Sequence, residues 1–323
     1  MNILNNGDFW ELFTKAKQKG GAFFFKKISF NSKKRTQSTF SSQKRQGANW
    51  WIIPEVKKRE NRKISGDTHK TFDKHLIECH LKNKRDLQLL SVACGSGNRE
   101  ITLSKSGFFK NVTGIDLSPD LIQEAQQKVS KMQLTNVSFE QADFYDFKME
   151  DNFYDVILFH SALHHFQKIE EIALRVKTSL KRDGILVLNE FVGKNRLQFT
   201  KHELFQMNKL LTTIPKPYRK RYLTKLTKQK IYAPGVLRMI ISDPSEAVES
   251  ETILPVIHKH FKVIEEKKIG GDLLMMVLKD IAHHFVNSNN QESKQILQDL
   301  FEKEDEYLQT THHPNFIFGI YKK

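Results

Sequence analysis

The stretch that decides the fold is "DLQLLSVACGSGNREITLSKSG", Asp86 to Gly107. An apolar run, "LQLLSVAC", stops at a bend of small residues carrying Gly95 and Gly97. A helical pattern, "NREITLSKSG", opens directly after it and closes at Gly107. A glycine bend between strand and helix lets a ligand approach the backbone closely. Two phosphate cradles of this general form fail on their residues. A nucleotide P-loop needs Lys and then Ser or Thr after its last glycine, to meet phosphate and magnesium; here Asn98, Arg99 and Glu100 follow Gly97. A dinucleotide fingerprint wants Gly or Ala where Glu100 stands, and a carboxylate at a helix N-terminus repels a pyrophosphate. What remains is a nucleoside ligand that carries no phosphate.

The neighbouring segments supply two more landmarks. "VTGID" reads as the second strand and ends at Asp116, 19 residues after Gly97, where a carboxylate can accept both ribose hydroxyls. An acid at that place also serves NAD, so alone it does not discriminate. "VSFEQAD" is the third strand, and Asp143 in "QADFYDF" stands where it can accept from an adenine amino group, with Ala142 and Phe144 as apolar walls. Taken alone, Asp143 is also a turn-forming acid. Three landmarks in order on successive strand ends argue for S-adenosylmethionine, which needs a close backbone and hydroxyl acceptors but no anion cradle.

Beyond these, "SPDLIQEAQQKVSKM" is a helix with Ser118 as N-cap and Pro119 first in the helix. "YDVILFHSA" and "ILVLNEFVG" are strands four and five, separated by the helix "KIEEIALRVKTSLKRDG", and "KVIEEKKIG" and "NFIFGIYKK" are late strands. Buried strands separated by helices mean an α/β protein: a Rossmann-like, seven-stranded, mostly parallel sheet with helices on both faces. The expected organisation is a basic, partly flexible N-terminal arm over 1–45 and one domain over 46–323. That domain has its core at 85–193, a helical lid insertion at 194–248 and C-terminal helices and strands at 249–323. Trp50 and Trp51 are expected to be buried, Asp67 to cap a helix running through "KTFDKHLIECH", and Asp243 to open a helix with Pro244 first and Glu246 completing a capping box.

"LLSVACGSG", "GIDLSPDLIQEAQQK", "QADF", "YDVILFHSALHHF" and "LKRDGILVLNEFVG" together resemble the class I S-adenosylmethionine-dependent methyltransferases over residues 87–193. The resemblance implies that Ala93, Gly95, Gly97, Asp116, Leu117, Ala142, Asp143, Phe144 and His160 contact the cofactor. Two positions depart from the family: it often has an acid where this chain has Ser91 and a glycine where it has Ala93. Serine still accepts a hydrogen bond, whereas an alanine is expected to forbid strained backbone angles. "NEFVGKNRLQFT", "MNKLLTTIP", "DPSEAVESETILPVIHKHF" and "GGDLLMMVLKDIAHHF" resemble a bacterial branch whose members often lie near glycan or glycolipid synthesis, over about residues 45–323.

Candidates for the chemistry belong at the carboxyl ends of strands four and five, where ligands of open α/β sheets gather. "FHSALHHF" offers His160, His164 and His165; His164 is taken as the base or acceptor-orienting group, with His165 next. Glu190, in "NEFVGKNR", is a strand-end acid facing the cleft. Asn195, Arg196 and Gln198 follow on the loop and suit a sugar or a phosphate. The cations of "IPKPYRKRYLTKLTKQK" favour an anionic acceptor, and a solvated lysine-rich face explains them nearly as well.

The chain of 323 residues carries a net charge of +15. Residues 1–64 hold fifteen Lys or Arg against four acids, a net +11, which leaves +4 for the other 259. Such an arm suits nucleic acid, an anionic membrane surface or a phosphorylated substrate. An RNA or ribosome methyltransferase is therefore the competing reading. Against it, no Asp/Asn-Pro-Pro-Tyr/Phe motif follows strand four, and there is no Pro-Cys nucleophile. A cofactor-binding fold kept as an assembly partner is a third reading. Cys79 and Cys94 show no metal or CxxC spacing, so no resident metal is expected. With no apolar run near the roughly 18 residues of a membrane span and no secretory signal pattern, a cytoplasmic location is expected.

Overall fold

The computed structural model describes residues 3–4, 7–9, 11, 49–287 and 289–323. The expected arm, including "GGAFFFKKISF", therefore lies almost wholly outside the described residues. Of its beginning, Asp8 is buried and its Oδ1 accepts from the Gly235 amide at 2.8 Å and from Arg238 Nε at 2.6 Å.

Strands β1 (Leu87–Val92), β2 (Phe109–Asp116), β3 (Val137–Gln141), β4 (Tyr154–His160), β5 (Leu180–Phe191), β6 (Lys262–Lys268) and β7 (Phe316–Lys322) form one seven-stranded sheet in the order β3-β2-β1-β4-β5-β7-β6. The pairings β1–β2, β1–β4, β2–β3 and β4–β5 are all parallel. In β1, Leu89 and Leu90 point to opposite faces and both are buried, as are Ile157 and Leu158 in β4. Burial on both faces is why these strands read as continuous apolar runs rather than alternating ones.

The helices, in chain order, are α1 (Pro54–Ser65), α2 (Phe72–His75, continued by a π turn over Leu76–His80), α3 (Asn98–Ser104), α4 (Pro119–Met132), α5 (Ile169–Ser179), α6 (Lys201–Thr213), α7 (Val236–Ser242), α8 (Ile253–His260), α9 (Leu274–Leu278) and α10 (Gln291–Thr310). On one face of the sheet, Ile172 and Val176 of α5 and Ile253 and Ile257 of α8 pack with Leu90, Val92, Ile157, Phe159 and Leu188. Between β1 and β4 the direction of strand progression reverses. That reversal opens a crevice outside the strands' carboxyl ends.

The chain divides into two compact units. One consists of Ile64–Val192, Glu249–Lys267 and Ile317–Lys323 and contains nearly all of the sheet; the other consists of Met1–Lys63, Gly193–Val248 and Lys268–Phe316. The segment expected as a lid thus belongs to the second unit, which has its own core of Trp50, Ile53, Met207, Leu211, Val277 and Leu300.

Several expected local structures are corrected. The 194–248 segment is α-helical only in α6 and α7; Pro215, Pro217 and Pro234 interrupt it, since proline removes a donor and clashes with the preceding turn. α2 is capped by Thr71, whose side chain accepts from the Lys74 amide, while Asp67 instead closes a turn by accepting from the His69 amide at 2.8 Å. Asp243 opens no helix: its Oδ1 accepts from the Ser245 amide at 3.0 Å and from Ser245 Oγ at 2.6 Å, and the helix waits until Ile253. Ser118 stands at the N-cap of α4, but its buried hydroxyl has no partner and caps nothing. Trp50 is buried as expected, and Trp51 only partly so.

The second unit buries an acid cluster with a predictable pH response. Asp272 accepts from the Asn315 amide at 2.7 Å through Oδ1, while its buried Oδ2 has no hydrogen-bond partner. Burial, with the charge of Glu304 adding to it, pushes its pKa up to about 7. A carboxyl whose folded pKa is raised stabilises the fold below its unfolded pKa and loses that contribution as pH rises through 7. Asp272→Asn keeps the amide contact and removes the charge. Its thermal midpoint is expected to match the wild type near pH 4 and to exceed it at pH 8 by a few degrees, about 2–4 °C per kcal/mol. Equal midpoints at pH 8 would show that Asp272 carries no buried charge.

Candidate active site

The bend after β1 is built on three left-handed residues: Ala93 at φ 53°, Gly95 at φ 59° and Gly97 at φ 71°. A Cβ added to Gly97 would lie 2.3 Å from the Phe139 ring, so glycine is required there by space as well as by angle. A Cβ on Gly95 would meet no protein atom within 4 Å, which leaves the space beside the bend for a ligand. Ala93 corrects an expectation: the alanine does adopt the strained conformation, at a cost of roughly 1–2 kcal/mol. Cys94 is half-buried within the bend, and burial together with the nearby Glu100 and Asp116 carboxylates raises its thiol pKa, which disfavours the thiolate.

Asp116, at the tip of β2, braces this bend. Its Oδ2 accepts from the Gly95 amide at 2.9 Å and its Oδ1 from the Ser118 amide at 2.8 Å. Burial raises its pKa, against the pull of these amides. The Ala142 amide donates to the Asp116 carbonyl at 3.0 Å, which ties the tips of β2 and β3 together and brings Asp143 near Asp116. Asp143 also makes a turn, accepting from the Tyr145 amide at 3.2 Å. Leu117 and Ala142 are half-buried beside them. The Phe144 ring is sunk in the core, edge-on to Phe159 and Phe166, with Arg175 stacked over it.

Glu100 corrects the electrostatic argument made from sequence. It does not present a charge at the tip of α3; it turns inward, 2% exposed, and its Oε1 accepts from Ser91 Oγ at 2.6 Å. Burial raises its pKa, and its Oε2 has no hydrogen-bond partner. The chain therefore keeps an acid beneath the bend, delivered from α3 where the resembled family often has it at the position of Ser91. Sequence reading missed this because the carboxylate arrives from nine residues downstream.

His160 sits at the tip of β4 in a small network. Arg99 Nη2 lies 3.1 Å from its Nε2, Arg99 Nη1 is 2.7 Å from both Asp73 oxygens, and the Phe72 ring stacks on the imidazole at 5.4 Å. Arginine only donates, so Nε2 is the accepting side of this contact. Nothing in the sequence pattern announced the part played by Asp73 and Phe72.

The β4 and β5 tips meet in a second network. Glu190 is 1% exposed and fully engaged: Oε2 accepts from the amides of Ala162 (2.7 Å) and Leu163 (2.6 Å), and Oε1 from the Phe191 amide (2.8 Å) and from His164 Nδ1. Burial alone would raise the Glu190 pKa; the charge and hydrogen bond of His164 and the two amides outweigh it and hold the carboxyl below its ordinary range. Oε1 accepts the proton on His164 Nδ1, which leaves Nε2 as the ring nitrogen able to exchange a proton with the site. His165 is half-buried against the His164 ring, with centroids 4.1 Å apart. Glu190 thus faces His164 and the turn amides, a correction to the acid expected to face the cleft itself.

The loop residues fall in the second unit. Arg196 takes φ 55° and donates through its amide to Ala247 O at 2.6 Å and through Nη1 to Glu246 O at 3.1 Å. Burial lowers its pKa, while Asp243 and Glu246 oppose that shift. Gln198 Nε2 donates to Pro234 O at 2.7 Å and to Arg196 O at 3.0 Å; Asn195 is half-buried at the start of the same turn. Arg196 and Gln198 thus brace one loop. A cavity of about 640 Å³ in this unit is lined by Lys216, Lys225 and Lys230 among others, and by Arg221 and Arg238, which are paired to Asp280 and Asp8.

The strand order, with the glycine bend at the reversal point, defines a Rossmann-like α/β fold. More particularly, the chain belongs to the methyltransferase-domain family, whose model matches residues 83–303. A demethylmenaquinone methyltransferase of Staphylococcus aureus is 29% identical over 133 residues, 41% of this chain. The match spans 54% of that relative, so the chain covers about half the length of the curated relatives it matches. Among solved structures, a geranyl diphosphate C-methyltransferase from Streptomyces coelicolor is 10% identical, covers 81% of this chain and 84% of its own, and has a TM-score of 0.49. A phosphoethanolamine N-methyltransferase of Haemonchus contortus is 16% identical, covers 78% of this chain and 52% of its own, with a TM-score of 0.48. Among the described residues no helix is long and apolar enough to cross a membrane.

Proposed function

We propose that the protein transfers a methyl group from S-adenosylmethionine to a hydroxyl of a small-molecule or saccharide-type acceptor. The observation that carries this reading is the Glu190–His164 pair at the tips of β4 and β5, in the same unit as the Gly95–Asp116 bend. The bend fits the cofactor: open space at Gly95, a tip carboxylate held by backbone amides, and no phosphate-binding lysine on α3. Asp116 would receive the ribose hydroxyls, Asp143 the adenine amino group, and the Gly95–Gly97 backbone would lie along the methionine portion.

Bound there, the cofactor supplies an electrophilic methyl on a sulfonium, already a good leaving group. The chain's contribution is then to align the acceptor, exclude water and take its proton. Alignment alone can supply about 7–11 kcal/mol of a bimolecular barrier. An alcohol is a poor nucleophile until its proton leaves, and His164 Nε2 is the group positioned to accept it. Glu190 holds the tautomer and stabilises the imidazolium that forms, a division of labour known from other carboxylate–histidine pairs.

A saccharide or glycolipid-type acceptor is supported by the branch resemblance of the flanking segments, and an anionic one by the cations of "IPKPYRKRYLTKLTKQK". The S. aureus relative, whose name gives demethylmenaquinone as its acceptor, supports a small molecule in general terms. The test is incubation of the protein with methyl-tritiated cofactor and fractionated cell extract. Label is expected in a small-molecule, glycolipid or saccharide fraction, in a form that survives mild alkali as an ether does and an ester does not. Label confined to RNA would overturn the reading in favour of the competing one.

A further inference from the structure

Away from the bend, α2 and its π turn carry two histidines toward β6. His75 Nε2 lies 3.0 and 2.9 Å from the two oxygens of Glu265, and His80 Nε2 lies 2.7 Å from Glu265 Oε2. These three donor atoms all stand within 4.8 Å of one another. His75 is buried, while His80 and Glu265 are partly so. On a regular α-helix, residues five apart diverge by about 140° around the axis. The π turn over Leu76–His80 narrows that divergence, because its wider i→i+5 turn brings the fifth residue back toward the starting face. Such turns are costly enough to be rare and cluster at functional positions.

We propose that His75, His80 and Glu265 form a binding site for a divalent transition-metal ion of the zinc type. The donor set is two imidazole nitrogens and one carboxylate, which suits a borderline-soft ion and leaves a fourth position for water. In a tetrahedral shell with ligands at about 2.0–2.1 Å, donor atoms stand roughly 3.3 Å apart. The present contacts of 2.7–3.0 Å are those of N–H···O bonds, and opening them by a few tenths of an ångström admits the ion. Metallation at Nε2 moves the His75 ring proton to Nδ1, and a partner is in place there: Cys79 Sγ, 3.6 Å from His75 Nδ1. Lys267 Nζ, 2.5 Å from Glu265 Oε1, shares that oxygen, while both imidazoles converge on Oε2.

The site would fasten α2 to β6, the last strand in the sheet order. Because α2 also carries Phe72 and Asp73, which hold His160 and Arg99 beside the bend, the ion would stiffen one wall of the crevice without touching a reactant. The proposal stands on this geometry and is independent of the methyl-transfer reading.

The test uses the full chain, stripped with a chelator and titrated with Zn²⁺ by calorimetry and with Co²⁺ by visible absorption. One ion per chain is expected, with Co²⁺ giving the intense d–d bands of a four- or five-coordinate nitrogen and oxygen site and a higher thermal midpoint at saturation. His80→Ala and Glu265→Gln are each expected to weaken binding by at least about tenfold to a hundredfold. His80→Cys, which keeps a ligand, should retain the ion and add a thiolate-to-cobalt charge-transfer band. Circular dichroism of each metal-free variant checks that it is folded. No stoichiometric binding by the wild type, or binding of equal strength in folded His80→Ala, would overturn the proposal.

Discussion

Glu190→Gln is expected to cut turnover by about 10²–10⁴-fold while leaving cofactor affinity within about twofold. The substitution preserves shape, and the glutamine oxygen can still accept from the Ala162 and Leu163 amides, which lie at 2.7 and 2.6 Å from the carboxylate. What changes is the group at Oε1, which faces His164 Nδ1 and the Phe191 amide. An amide NH₂ presented there must donate, so the imidazole keeps its proton on Nε2 and loses the lone pair that would take the acceptor's proton. The corresponding Asp→Asn change in the serine-protease triad is a worked case of a tautomer error costing about 10⁴. Removing the ring altogether, His164→Ala, should fall in the same range, and the double variant should be no slower than the worse single one, because the pair acts as a unit. The measurements are single-turnover transfer of tritiated methyl to the labelled acceptor pool and calorimetric cofactor binding. Unaltered turnover in Glu190→Gln would remove His164 as the base, and an equal loss of cofactor affinity would make the pair structural.

Asp116→Ala should weaken cofactor binding by at least tenfold, about 1.4 kcal/mol. Its two oxygens do two things at once. They receive the Gly95 and Ser118 amides, which fixes the bend, and under the proposed function they would offer remaining lone pairs to ribose hydroxyls. Alanine abolishes both, leaving the Gly95 amide without the Asp116 oxygen that braces it. Asp116→Asn separates the two effects, since the carboxamide has one acceptor oxygen and keeps only part of the bracing. It should fall between wild type and alanine. Calorimetry with S-adenosylhomocysteine gives the dissociation constants; an unchanged value for Asp116→Ala would mean the nucleoside binds elsewhere.

The architecture was legible wherever one physical signal governed a long segment. Continuous apolar runs such as "YDVILFH" have one stable use, as strands covered on both sides, and the bend at Gly95 and Gly97 fixes where the ligand crevice opens. Features set by a single side chain were read less well. Ser118 and Asp243 sit in positions favourable for caps, yet Asp116 takes the Ser118 amide and Asp243 spends its oxygen on Ser245. Local rules name the candidates for a hydrogen bond but not the competitor that wins it. Glu190 and His164 were each singled out, but their union was not, because 26 residues separate them and only the β4–β5 pairing joins them. Glu265 and its two histidines lie farther apart still, 185 and 190 positions, and no periodicity carries information over such a span.

The order of strands has a consequence for how this chain acquires its shape. β5 ends at Phe191, and the strand beside it in the sheet, β7, begins only at Phe316. Until that last segment leaves the ribosome, the margin of β5 is an open hydrogen-bonding template carrying Leu186 and Leu188, side chains that are buried once folding is finished. A newborn chain therefore waits, adhesive on one flank, while more than a hundred residues are added. Chaperone depletion should harm its yield during synthesis far more than it harms the finished molecule.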